Sequence, residues 1–151
     1  KSIKDLSQLK EGSTIAIPDD ATNNARALLL LQNKDIIKLK EGADITATEM
    51  DIAENPKNLK FHAIEAAQLP RVLEDVDCAV INTNFALPAG LNPLKDAIII
   101  EDGDSPYANI LAVRDGDENR DEIQKLIKAL NSPEIKSFIE EKYQGSIIPA
   151  F

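Results

Sequence analysis

Three short stretches hold polar residues that apolar packing does not require. The first is Thr22-Asn23-Asn24-Ala25-Arg26, the second Asn82-Thr83-Asn84 and the third Tyr107-Ala108-Asn109. Arg26 lies where a helix begins, in its first or second turn. A helix start presents unpaired N–H groups and a partial positive charge, so a basic residue there works against the dipole. An anion reconciles the two, because a guanidinium and free N–H groups can share one carboxylate or phosphate. A local ion pair with Asp19 or Asp20 is the alternative. Asparagine both donates and accepts, so a pair of asparagines can hold the ammonium and the carboxylate of an amino acid. Taken alone, each asparagine reads more readily as a turn residue.

Catalytic chemistry is not legible. There is no defensible Ser/His/Asp order, no Gly-rich phosphate loop, no Walker motif and no cluster of metal ligands. Asp19-Asp20 are sequence neighbours, an arrangement more typical of solvated carboxylates than of a working dyad. His62 is the only histidine and Cys78 the only cysteine. His62 reads as a surface or hydrogen-bonded side chain. Cys78, in Cys-Ala-Val-Ile, reads as a small buried hydrophobe rather than a nucleophile. No cofactor and no metal is expected, and the residues point to binding rather than catalysis.

The elements that must position these residues alternate between strand and helix. Ile15, Ala16 and Ile17 are a buried-strand run that Pro18 ends. Cap-type residues follow, with Thr22 or Asn23 as the helix cap, and then Ala-Arg-Ala-Leu-Leu-Leu-Leu-Gln. Ser2 can cap a short helix over residues 3–9, with Asp5 as its capping-box partner. Thr48, with Asp51 three residues on, starts another short helix, which Pro56 closes. Further strands are expected at residues 59–64, 77–82, 97–100 and 110–113, with a last small one at 147–148. Helices are expected over residues 66–73 and 134–143, with a helical or turn-like stretch at 85–91. Ile123, Leu126, Ile127 and Leu130 have the spacing of an amphipathic helix. The alternation argues for an α/β fold with a mainly parallel sheet, whose ligands sit beyond the carboxyl ends of the strands.

Composition bounds the rest. The chain has 151 residues, 43% apolar and 28% charged, enough for a real core. Its net charge is −9, and Lys and Arg are scattered, which argues against nucleic acid as a partner. No apolar run approaches the ~20 residues of a membrane span. The opening Lys-Ser-Ile-Lys-Asp-Leu is neither a signal peptide nor a start methionine.

Several blocks, in order along the whole chain, resemble the methionine-binding lipoprotein family, NlpA/MetQ. They are Ile15 to Leu31, Glu54-Asn-Pro-Lys-Asn-Leu-Lys-Phe61, Glu65-Ala-Ala-Gln-Leu-Pro-Arg71, Ala79-Val-Ile-Asn-Thr-Asn-Phe-Ala86, Pro106-Tyr-Ala-Asn109 and the run from Ile139 to Phe151. The resemblance implies a substrate-binding lipoprotein of an ABC importer for methionine or a related small amino acid or dipeptide. It implies a type II periplasmic-binding-protein fold of two α/β lobes with the ligand between them. It would be extracytoplasmic, tied to the membrane only through a lipid anchor, with a permease and ATPase complex as partners.

By motif, Arg26 would hold the ligand's carboxylate, and Asn84 and Asn109 its backbone groups. Asn82 and Tyr107 would be their neighbours, and Asn24 belongs to the first cluster. The family's leading portion, with signal peptide, lipid-bearing cysteine and most of the first lobe, has no counterpart here, and Val-Asp-Cys-Ala around Cys78 lacks a lipobox. Residues 1–104 are therefore expected to form the second lobe, and 105–151 the return segment and helices of an incomplete first lobe. The chain alone is expected to bind ligand weakly and to associate with a second copy or with a separate first lobe. A ligand-sensing effector domain of a transcription regulator, which shares the two-lobed architecture, is the alternative function.

Overall fold

The computed structural model describes residues 3–101 and 107–151. Ser2, Ser105 and Pro106, on which the expectations above touch, lie outside the described residues. The chain forms two compact units, Lys1–Ile99 and Ile100–Phe151.

The first unit is built on strand β1, Thr14–Pro18. β1 is central in a three-stranded parallel sheet, between β4 (Lys60–Ile64) and β5 (Cys78–Ala79). Ile15 and Ile17 face one side and belong to a cluster with Ala25, Ala27, Leu28 and Leu31 of helix α1, Ala21–Asn33. Ala16 faces the other, packed with Ala66, Leu69 and Val76. Ile15, Ala16 and Ile17 are all fully buried. A strand covered on both faces needs an uninterrupted apolar run, which is why this stretch does not alternate. A small antiparallel pair, β2 (Lys38–Leu39) and β3 (Ile52–Glu54), adds Leu39 to the α1 side.

Several elements differ from the sequence expectation. The expected helix at 3–9 is a single 3-10 turn, Leu6–Gln8, and Asp5 is its cap, accepting from the Ser7 N–H at 2.7 Å. The Thr48 capping box forms as expected, around a 3-10 turn, Glu49–Asp51, but β3 follows it before Pro56 is reached. Residues Ala66–Val72 are 3-10 rather than α, with Pro70 inside the turn rather than at its start. Proline removes an i→i−4 bond and crowds the carbonyl four residues back, which favours the tighter helix. The strand expected at 77–82 is short, although the Val80 N–H still reaches the Ala16 carbonyl at 2.9 Å. It leads into helix α2, Thr83–Ala86, then a 3-10 turn, Leu87–Ala89, which Gly90 ends at φ +80°. Helix α3, Pro93–Asp96, capped by Asn92, was not expected.

The second unit contains helices α4 (Asp121–Leu130) and α5 (Pro133–Tyr143), both close to their expected bounds. Ser132 caps α5 through its hydroxyl, and Gln144 and Gly145 leave it through left-handed backbone. The strands expected at 97–100, 110–113 and 147–148 do not form. Apolar β-branched residues are not sufficient for a strand, which also needs a neighbouring ladder, and no described strand pairs with these segments.

Candidate functional site

The carboxyl end of β1 runs through Asp19 into the cap of α1. That cap is Asp20, not the expected Thr22 or Asn23. Its Oδ1 accepts from the Asn23 backbone N–H and from Asn23 Nδ2, both at 3.0 Å, and its Oδ2 accepts from Asn23 Nδ2 at 3.1 Å. A carboxylate at this position satisfies an otherwise unpaired N–H and suits the dipole. With Ala21 as the first helical residue, Arg26 stands in the second turn, half-buried, one turn beyond the unpaired N–H groups. It shares a helix face with Asn23 through i,i+3 spacing.

Asn24 is 7% exposed. Its Nδ2 donates to the Pro18 carbonyl and to Glu49 Oε1, both at 3.0 Å. One amide thus ties the strand end, the first turn of α1 and the Thr48–Asp51 turn together. On the next strand, Asn82 follows β5 and occupies the N-cap position of α2. Its Nδ2 donates to Asn23 Oδ1 at 2.7 Å, joining residues 59 apart in sequence. The Oδ1 atoms of Asn24 and Asn82 are buried without a hydrogen-bond partner among the described residues. Asn84, in the first turn of α2, is exposed.

Asn24 and Arg26 thus stand on α1, which follows β1, and Asn82 and Asn84 at the start of α2, which follows the neighbouring strand β5. Asn109 and Tyr107 belong to the second unit, where Tyr107 is half-buried in a turn and Asn109 is exposed in a segment without regular secondary structure. Sequence reasoning names Asn23 in the first polar stretch and as a cap, but not as the partner of Asn82. It misses Glu49, which the Thr48–Asp51 capping box holds in a 3-10 turn beside Asn24.

Burial, with Asp77 adding to it, pushes the Cys78 thiol up to about 11 from 9.0, so the thiolate nucleophile is scarce at neutral pH. The Thr48 backbone N–H and hydroxyl hold the Asp51 carboxyl below its ordinary value. His62 is exposed on β4. Among the described residues no group of three His, Cys, Asp or Glu side chains could hold a metal ion. Among them, too, no helix is long and apolar enough to cross a membrane.

The chain matches the family model "NlpA lipoprotein" over residues 1–151. It is 44% identical to Lipoprotein 28 of Escherichia coli K12, covering 100% of this chain and 56% of that relative. It is 45% identical to the D-methionine-binding lipoprotein MetQ of Salmonella typhimurium, covering 98% of this chain and 55% of the relative. The chain thus spans about half the length of the curated relatives it matches. Among solved structures, it is similar to a nutrient binding protein from Burkholderia cenocepacia bound to methionine. There the TM-score is 0.90 at 53% identity, covering 100% of this chain and 64% of that one. It is similar also to an ABC transporter periplasmic substrate-binding protein from Coxiella burnetii, with a TM-score of 0.89 at 51% identity over 99% of this chain and 63% of that one. The regulator alternative finds no support among these relatives, which are lipoproteins and substrate-binding proteins. The chain belongs to the NlpA lipoprotein family and has its periplasmic-binding-protein-like α/β fold.

Proposed function

We propose that this member of the NlpA family supplies one wall of the ligand site of an ABC importer's substrate-binding lipoprotein, for methionine or a related small amino acid or dipeptide. The observation that carries the reading is the likeness, along the whole chain, to a protein bound to methionine. The geometry supports it: the polar cluster lies at the carboxyl ends of parallel strands, where α/β sheets bind ligands. In this reading Arg26 holds the ligand's carboxylate and Asn84 and Asn109 its backbone groups, with Asn24, Asn82 and Tyr107 around them. The protein acts outside the cytoplasm, lipid-anchored, and delivers its ligand to a permease and ATPase complex. Residues 1–104 belong to one lobe and 105–151 to the return segment and helices of the other.

Calorimetry with methionine on a two-lobed protein carrying this chain tests the reading. Arg26→Ala removes the charged partner of a desolvated carboxylate, so a loss of about 3 kcal/mol, roughly a hundredfold, is expected. Arg26→Lys restores part of it, since an ammonium cannot form the two-pronged pairing. Unchanged affinity in the alanine variant would reduce Arg26 to a structural residue.

A further inference from the structure

We infer that Asp20, Asn23 and Asn82 form a positioning bridge that sets the spacing between Arg26 and Asn84, an inference that rests on the ligand roles proposed above. The chain of bonds is directional. The Asp20 carboxylate can only accept, and both its oxygens take Asn23 Nδ2, at 3.0 and 3.1 Å. Asn23 must therefore turn Oδ1 the other way, and it accepts from Asn82 Nδ2 at 2.7 Å. An amide flip at either asparagine would set oxygen against oxygen or nitrogen against nitrogen, so the carboxylate fixes the orientation of both. The bridge joins the first turn of α1 to the N-cap of α2. Arg26 stands one turn after Asn23 on the same face, and Asn84 two residues after Asn82. Backbone pairing stops short of the helix starts, because β5 is two residues long and the bond from the Val80 N–H to the Ala16 carbonyl lies two residues before Asn82. The Asn82–Asn23 side-chain bond ties together the two helix starts that carry the proposed ligand contacts. None of the three bridge residues needs to touch the ligand.

The test is calorimetry with methionine, with melting temperature as the companion readout, on a two-lobed protein carrying this chain. Asn23→Ala keeps the backbone cap bond to Asp20 but removes the bridge. It is expected to weaken methionine about tenfold, as loss of a coupled neighbour typically does, while the melting temperature moves little. Asn23→Asp sets two carboxylates about 3 Å apart and is expected to weaken binding as well. Asp20→Asn combined with Asn23→Asp exchanges donor and acceptor at the first link. It keeps the cap through the amide oxygen introduced at position 20, the net charge and the acceptor for Asn82. The amide nitrogen at position 20 now donates to the carboxylate at position 23, and the double variant is expected to recover at least about threefold of the affinity lost in Asn23→Asp. A merely structural role for Asn23 would show equal losses in stability and no such rescue. Methionine binding that disappears in Arg26→Ala yet is unchanged in Asn23→Ala would overturn the bridge alone. Absence of methionine binding in the parent protein would overturn the functional reading and the bridge with it.

Discussion

Arg26 and the asparagines divide by what holds each one. Asn24 and Asn82 are committed to the protein by 3.0 and 2.7 Å hydrogen bonds, whereas Asn84 is exposed at a helix start. Asn84→Ala and Asn109→Ala are each expected to weaken all amino-acid ligands alike, because the groups they would contact are common to amino acids. Competition calorimetry with methionine and leucine checks this. Loss of discrimination at retained affinity would contradict the roles given to them. Cys78 behaves oppositely to a reactive thiol. Since burial raises its value from 9.0 to about 11, the folded protein keeps its proton where the unfolded chain has lost it. Its contribution to stability is full below pH 9.0 and is lost as the pH rises toward 11. Cys78 is half-buried rather than fully buried as expected, so iodoacetamide labelling at pH 8 is expected to be slower in the folded protein than in denaturant; equal rates would contradict this shielding.

At the scale of elements, the β1–α1 unit was legible because local and tertiary signals agree. Ile15 to Ile17 form an apolar run that the sheet buries on both sides, and Leu28 and Leu31 repeat at the spacing that faces it. Leu28 is fully buried, so Leu28→Ala is expected to cost about 3 kcal/mol, measured by urea unfolding; a cost under 1 kcal/mol would contradict the packing. The cap was misplaced by two to three residues because Asp20, Thr22 and Asn23 are all good caps, and only the position of the strand end chooses among them. The apolar stretches at 97–100 and 110–113 show the limit of pattern reading. Their β-branched residues satisfy strand propensity, but pairing is a property of two segments, and the second is not written in the first. The same limit hid the Asn23–Asn82 bond, whose partners are 59 residues apart.

For the whole molecule, the two units differ in how they treat apolar surface. The first buries Ile15, Ile17, Leu28, Leu31 and Leu69 almost completely. In the second, none of the described residues is buried, and Ile110, Leu126, Leu130, Phe138 and Ile148 are exposed. Such apolar surface favours association, so light scattering on the 151-residue chain is expected to show species larger than a monomer. A strict monomer that binds methionine tightly by itself would contradict the proposal that residues 105–151 belong to the other lobe. The central claim is that Arg26 receives an amino acid's carboxylate. A crystal structure of a two-lobed protein carrying this chain, grown with methionine, tests it most directly. The ligand carboxylate is expected on the Arg26 guanidinium, with its backbone groups on Asn84 and Asn109. Methionine bound with its carboxylate on other groups, and Arg26 turned away from it, would contradict the claim.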